Sequence, residues 1–151
     1  MRFMIIVKAT PDSEAGRFPD DPTPLFAAMA SYHEELARAG ALLDASGLQP
    51  SSRGWRVQYE GGQRRIVDGP FAETKELVAG YTLIQTRTRE EAVEWSRRFP
   101  NPVGEGISCH IEVRQLYELE DFDALLEPQT AQRFRELQVG DEAAAGPRAS
   151  A

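Results

Sequence analysis

Two stretches of this chain are apolar on both sides of an extended backbone, and no other feature restricts its fold as much. In the first, Phe3, Ile5 and Val7 point to one side and Met4 and Ile6 to the other. In Val78 to Thr86, Val78 and Ile84 share one side while Tyr81 and Leu83 share the other. Side chains alternate along a strand, so both stretches read as central strands needing cover on each face. Two helices are available as cover. Thr23-Pro24 reads as an entry with Thr as N-cap and Pro at the first position, opening a helix over about 25–39. Leu25, Met29, Tyr32 and Leu36 form its inner stripe, with Phe26, Ala30, His33 and Ala37 beside it. Gly40 ends it. The second helix opens on the capping box Thr88-Arg89-Glu90-Glu91, faces inward through Ala92, Trp95, Ser96 and Phe99, and stops at Pro100 and Pro102.

The remaining segments complete one sheet. Residues 9–24 read as a long connection and Ala41 to Ala45 as a short strand. Trp55, Val57 and Tyr59 alternate with Arg56, Gln58 and Glu60 as a half-buried strand, Gly61-Gly62 makes a tight turn, and Arg64 to Val67 returns. Asp68 to Phe71 reads as a turn. Ile107, Cys109, Ile111 and Val113 alternate with polar residues as the last strand. The order predicts an α+β fold: ferredoxin-like βαββαβ with an inserted hairpin, an antiparallel sheet with two helices on one face. Two helices on one face leave the other bare. A short C-terminal segment is too small to cover it, so a homodimer is expected. Residues 1–117 form the expected domain, 118–139 a short helical extension and 140–151 a disordered tail.

Composition narrows the function classes. Seventeen Lys plus Arg against 24 Asp plus Glu give a net charge of −7, the wrong sign for direct nucleic-acid binding. No apolar run approaches the roughly 18–20 residues that span a bilayer, and the apolar start is too short for a signal peptide. A soluble cytoplasmic protein is expected, with no membrane partner. The lone Cys109 rules out an internal disulfide framework and a multi-cysteine zinc site. Its alternation with Ile107 and Ile111 places it in the core. There is no phosphate loop, no nucleophile elbow and no histidine pair at metal spacing, so no metal or cofactor is expected.

Two residues remain as candidates for chemistry, and each has a plain alternative. His33 is either a half-buried helix histidine satisfied by a backbone carbonyl, or a general acid or base at the edge of a cleft. Asp68 opens the densest polar stretch, Asp68 to Glu76. It either accepts backbone N–H bonds within its own turn or faces His33 and orients the imidazole. His110 reads as surface.

Val67-Asp68-Gly69-Pro70-Phe71-Ala72-Glu73-Thr74-Lys75-Glu76, followed by Gly80-Tyr81, resembles the signature of the DGPF proteins within the YCII-related family. His33-Glu34-Glu35-Leu36, Gly40 to Asp44, Gly47 to Pro50 and Ile111 to Arg114 support it, over about residues 1–117. The resemblance implies a dimeric α/β barrel, with two ferredoxin-like sheets packed face to face. It further implies a histidine and an aspartate suspected of catalysis on an unknown small molecule. The histidine maps to His33. In one branch the aspartate precedes a proline after the second helix, where this chain has Asn101-Pro102, which leaves Asp68 to supply the acid. DGPF members also occur joined to sigma-factor domains. The resemblance therefore implies either a small-molecule enzyme or a non-catalytic ligand-binding or regulatory module of sigma-factor-dependent transcription initiation.

Overall fold

The computed structural model describes residues 1–137. The expected disordered tail at 140–151 lies outside the described residues. Four strands, β1 (Arg2–Lys8), β2 (Leu42–Gly47), β5 (Val78–Gln85) and β6 (Ile111–Gln115), form an antiparallel sheet in the order β2-β5-β1-β6. The central pair is the doubly apolar pair, β1 and β5, in register from Phe3 opposite Ile84 to Val7 opposite Gly80. The order is the ferredoxin-like one, because each helix carries the chain across an intervening strand.

Register fixes the two faces. Phe3, Ile5, Ile84, Leu42, Ile111 and Val113 fall on one side. They pack with Tyr32 and Leu36 of α2 (Thr23–Arg38) and with Ala92 and Trp95 of α3 (Arg89–Arg97). Both helices thus cover the same face, and Ile5, Leu36 and Ile84 are completely buried between the layers. On the other side Met4, Ile6, Tyr81 and Leu83 are only half-buried. Charge flanks this apolar centre: Lys8 pairs with Glu112 at 3.0 Å, Tyr81 donates to Asp44 at 2.6 Å, and Arg2 pairs with Glu118 at 2.7 Å.

Local signals explain the helix ends. Gly40 takes φ +67 just past α2, while Gly40 N donates to Ala37 O and Ala41 N to Leu36 O, the paired bonds of a Schellman cap. Thr88 accepts from Glu91 N at 3.1 Å to start α3. The entry to α2 differs from expectation. Pro22 occupies the cap position and Thr23 is already helical, because Asp21 accepts from Thr23 N at 3.1 Å and supplies the acceptor earlier. The long connection also contains a short helix, α1 (Pro11–Glu14), capped reciprocally by Thr10 and Ser13.

Two segments depart from the expected strands. The last strand begins only at Ile111, and Ile107 and Cys109 are exposed. Their alternation had no partner to act on: β1 pairs with β6 only as far as Val7 opposite Ile111. Gly104 and Gly106 turn the chain at positive φ instead. Cys109 is therefore not a core residue. The inserted hairpin, β3 (Trp55–Glu60) and β4 (Gln63–Asp68), turns at Gly61 and Gly62, both at positive φ. It forms a separate two-stranded sheet, and all of β3 is exposed rather than half-buried. Beyond Gln115 a helical turn at Leu119–Phe122 and α4 (Pro128–Glu136) follow, with Ala131 buried.

Candidate functional site

His33 lies on the third turn of α2, one residue after the buried Tyr32, so its ring stands beside the core stripe and reaches the inner strand β5. Its Nε2 lies 2.9 Å from Thr82 Oγ1. Thr82 occupies the helix-facing side of β5 and is 2% exposed. The partner is thus a strand hydroxyl, not the backbone carbonyl that a plainly satisfied helix histidine would use. The other ring nitrogen, Nδ1, makes no hydrogen bond among the described residues. No buried side-chain nitrogen there lacks a partner, so Nδ1 is open to solvent. One nitrogen is held and the other is free.

The Thr82 hydroxyl suits either charge state of the ring. A hydroxyl rotates, and it both donates and accepts. When Nε2 carries a proton, Oγ1 accepts it; when Nε2 is bare, the hydroxyl donates to it. Proton exchange at Nδ1 can therefore proceed without breaking the Thr82 contact. Tyr32 packs edge-on to the imidazole at 5.5 Å between ring centres. Burial pushes its phenol up to about 12, against a smaller lowering by Arg98. The Tyr32 hydroxyl donates to Trp95 O at 3.0 Å, tying α2 to α3. An open depression of about 330 Å³ adjoins it, lined by Tyr32, Glu35, Arg98 and Glu105 among others. Glu35 and Arg98 pair across it, and Arg98 stacks on Trp95 at 4.3 Å. His33 does not line this depression.

Asp68 sits elsewhere. It is the last residue of β4, opposite Trp55, and it is exposed. Among the described residues it shares no hydrogen bond with His33, and its carboxylate accepts none from residues 70–72. The Phe71 N–H donates instead to Ser51 Oγ at 3.0 Å. Ser51 in turn binds the Glu14 carboxylate through its hydroxyl and its N–H. Gly69 N donates to Gly54 O at 2.9 Å, and a Cβ on Gly69 would stand 2.6 Å from the Ser51 carbonyl carbon. The polar motif therefore locks the base of the hairpin onto the 51–54 turn. The lone Glu14, within a proline-rich connection, gave no sequence signal for this long-range contact.

Asn101 also has a defined part. Its Nδ2 donates to Ile107 O at 2.8 Å, and its Oδ1 accepts from Val103 N at 3.1 Å and from Cys109 Sγ at 3.0 Å. An amide can donate and accept at once, which an ionised carboxylate cannot, so this loop is built for Asn rather than Asp. His110 is exposed. Among the described residues no three His, Cys, Asp or Glu side chains converge where a metal could sit.

Residues 1–117 match the family model of the YCII-related domain. An uncharacterized protein, R00369, of Rhizobium meliloti is 30% identical over 73 residues, 48% of this chain. The match spans 59% of that relative's length. Among solved structures, 5-chloro-2-hydroxyhydroquinone dehydrochlorinase from Burkholderia phenoliruptrix, in complex with 2,5-dihydroxybenzoquinone, is 14% identical. That likeness covers 78% of this chain and 94% of the other, with a TM-score of 0.41. With the model matched over residues 1–117 of 151, the chain belongs to the YCII-related family.

Proposed function

We propose that this protein is a small-molecule enzyme in which His33 moves a proton to or from the substrate and Thr82 positions its ring. The observation that carries the reading is the asymmetry of the imidazole: Nε2 is 2.9 Å from a buried hydroxyl while Nδ1 is open. Imidazole exchanges protons near neutral pH, and a hydroxyl partner that serves both charge states lets it do so repeatedly. Membership of the YCII-related family is consistent with a small-molecule role. The proposed chemistry runs through His33 and Thr82. Asp68 is assigned no proton transfer within one chain, since it makes no contact with the ring.

The protein is further proposed to work as a cytoplasmic homodimer, packing the bare sheet face around Met4, Ile6, Tyr81 and Leu83 against a second copy. The half-buried state of those side chains supports this, and no helix among the described residues is long and apolar enough to cross a membrane. The site is tested by NMR of the His33 ring during titration with a panel of small ring and carboxylate compounds. Binders should shift the His33 resonances, and His33→Gln should abolish turnover of any compound found to react. Turnover that survives His33→Gln would refute the catalytic role of His33, and binding without turnover of any compound would leave a ligand-binding module.

A further inference from the structure

The β3–β4 hairpin has one polar and one apolar face. Register places Trp55 opposite Asp68, Val57 opposite Ile66 and Tyr59 opposite Arg64, all on one side. Trp55 is 64% exposed, Val57 38%, Tyr59 72% and Ile66 58%. The other side is polar and also exposed, with Arg56 stacked 4.0 Å over Phe71 and Arg65 bonded to Gln58 of the same hairpin at 2.6 Å. A lone two-stranded ribbon is marginal in water and needs a further layer on its apolar face.

The bare face is complementary to itself. Its centre is the pair Val57 and Ile66; its base carries Trp55 and Asp68, and its tip carries Tyr59 and Arg64. Consider a two-fold axis lying in the interface, perpendicular to the strands, through that central pair. It sets β3 antiparallel on β3 and β4 antiparallel on β4. Trp55 then meets Tyr59 of the other copy, and Asp68 meets Arg64 of the other copy. Within one chain Arg64 and Asp68 lie four residues apart on one strand face, too far to pair, and neither makes an ion pair among the described residues. Arg64 is oriented by stacking on Tyr59 at 5.4 Å.

We infer that the hairpin is a dimerisation arm, docking face to face on the same arm of a second copy. The inference rests on the homodimer proposed above and assigns it a second contact. The area is of the right size. At about 200 Å² for an exposed aromatic side chain, Trp55 and Tyr59 at 64% and 72% exposure offer about 270 Å² per copy. Two arms then supply over half of the roughly 1,000 Å² a stable interface needs, before Val57 and Ile66 are added. An isologous contact of this kind closes at two copies when it shares its two-fold axis with the sheet contact. It also gives Asp68 a partner that one chain does not provide.

The test is a charge exchange followed by sedimentation velocity. Arg64→Asp alone makes the arm ends both acidic, and Asp68→Arg alone makes them both basic. Each should raise the dimer dissociation constant about 5–30-fold, from two ion pairs replaced by two repulsions. Mixing the two variants in equal amounts should restore association, because every end then faces its opposite. Both positions are exposed, so the far-ultraviolet circular dichroism spectra should match wild type. A mixture no tighter than either variant alone would overturn the inference. So would single variants that dimerise like wild type. Leu83→Arg separates this from the sheet reading. If it yields monomers while the arm variants keep wild-type association, the arm contact falls and the sheet contact stands. If it leaves the dimer intact while the charge exchange behaves as expected, the arm stands and the sheet contact falls. A monomeric wild type at micromolar concentration would overturn both.

Discussion

The buried phenol of Tyr32 makes stability depend on alkaline pH in a way that one substitution can isolate. Burial raises its pKa from 10.0 to about 12. The folded state therefore holds the proton after the unfolded chain has released it. Stability gained from the neutral phenol is complete below about pH 10 and is lost as pH rises through about 12, since the unfolded state there binds fewer protons. Two pKa units correspond to about 2.7 kcal/mol. Tyr32 also lines the open depression, so water screens part of that, and about 1–2 kcal/mol is expected. Tyr32→Phe removes this pH dependence together with the hydrogen bond to Trp95 O, but keeps the ring contacts with Trp95 and Phe99. Near neutral pH the variant should be less stable by about 0.5–1.5 kcal/mol, the usual worth of one such bond. Toward about pH 12 wild type should lose about 1–2 kcal/mol more than the variant, closing or reversing the gap. Urea denaturation at stepped pH and fixed protein concentration measures this difference, and subtraction cancels the other tyrosines. Tyrosinate absorbance gives an independent check, with one fewer late-titrating phenol in the variant. Denaturation curves that stay parallel up to about pH 12 would refute the reasoning.

Other substitutions probe the remaining contacts. His33→Ala should cost only about 0.5–2 kcal/mol while removing the response to small molecules; a failure to fold would make His33 structural. Thr82→Val keeps the buried volume but unpairs Nε2, and a loss of about 1–3 kcal/mol by thermal melting is expected; an unchanged melt would show that the bond is not held in solution. Gly69→Ala forces a methyl group against the Ser51 backbone and should destabilise by about 1–3 kcal/mol, with faster amide exchange at Phe71. A wild-type exchange rate there would mean that the hairpin base repacks freely. Leu83→Arg puts a charge in the middle of the bare sheet face and should raise the dimer dissociation constant at least about tenfold by sedimentation.

The fold was legible because its signals are local and periodic. The double-sided strands at 3–7 and 78–86 became β1 and β5 at the centre of the sheet. Gly40 and Thr88 marked helix ends through geometry that involves only their own neighbours. The two-residue turn at Gly61-Gly62 followed from the freedom of glycine at positive φ. The misplacements share one cause. Alternation states which side chains share a face, not whether anything lies against it. Ile107 and Cys109 alternate with polar residues but have no strand to pair with, since β1 ends at Lys8. Trp55, Val57 and Tyr59 alternate well and remain bare in one chain.

The site was half legible. His33 stood out by type and by its place at the border of a helix stripe. Its partner Thr82 comes from β5, 49 residues away, and no spacing rule links them. Asp68 drew attention for its motif, yet its neighbours are set by the hairpin base and not by His33. Gly69 lies against the Ser51 backbone because the 51–54 turn comes back under it. By itself, then, the order of residues determined the elements, their faces and the titratable group on offer, since these depend on neighbours within a few positions. Which hydroxyl holds that group, which apolar faces stay open and what the polar motif supports were decided only when distant strands met, because those contacts exist only in the assembled sheet.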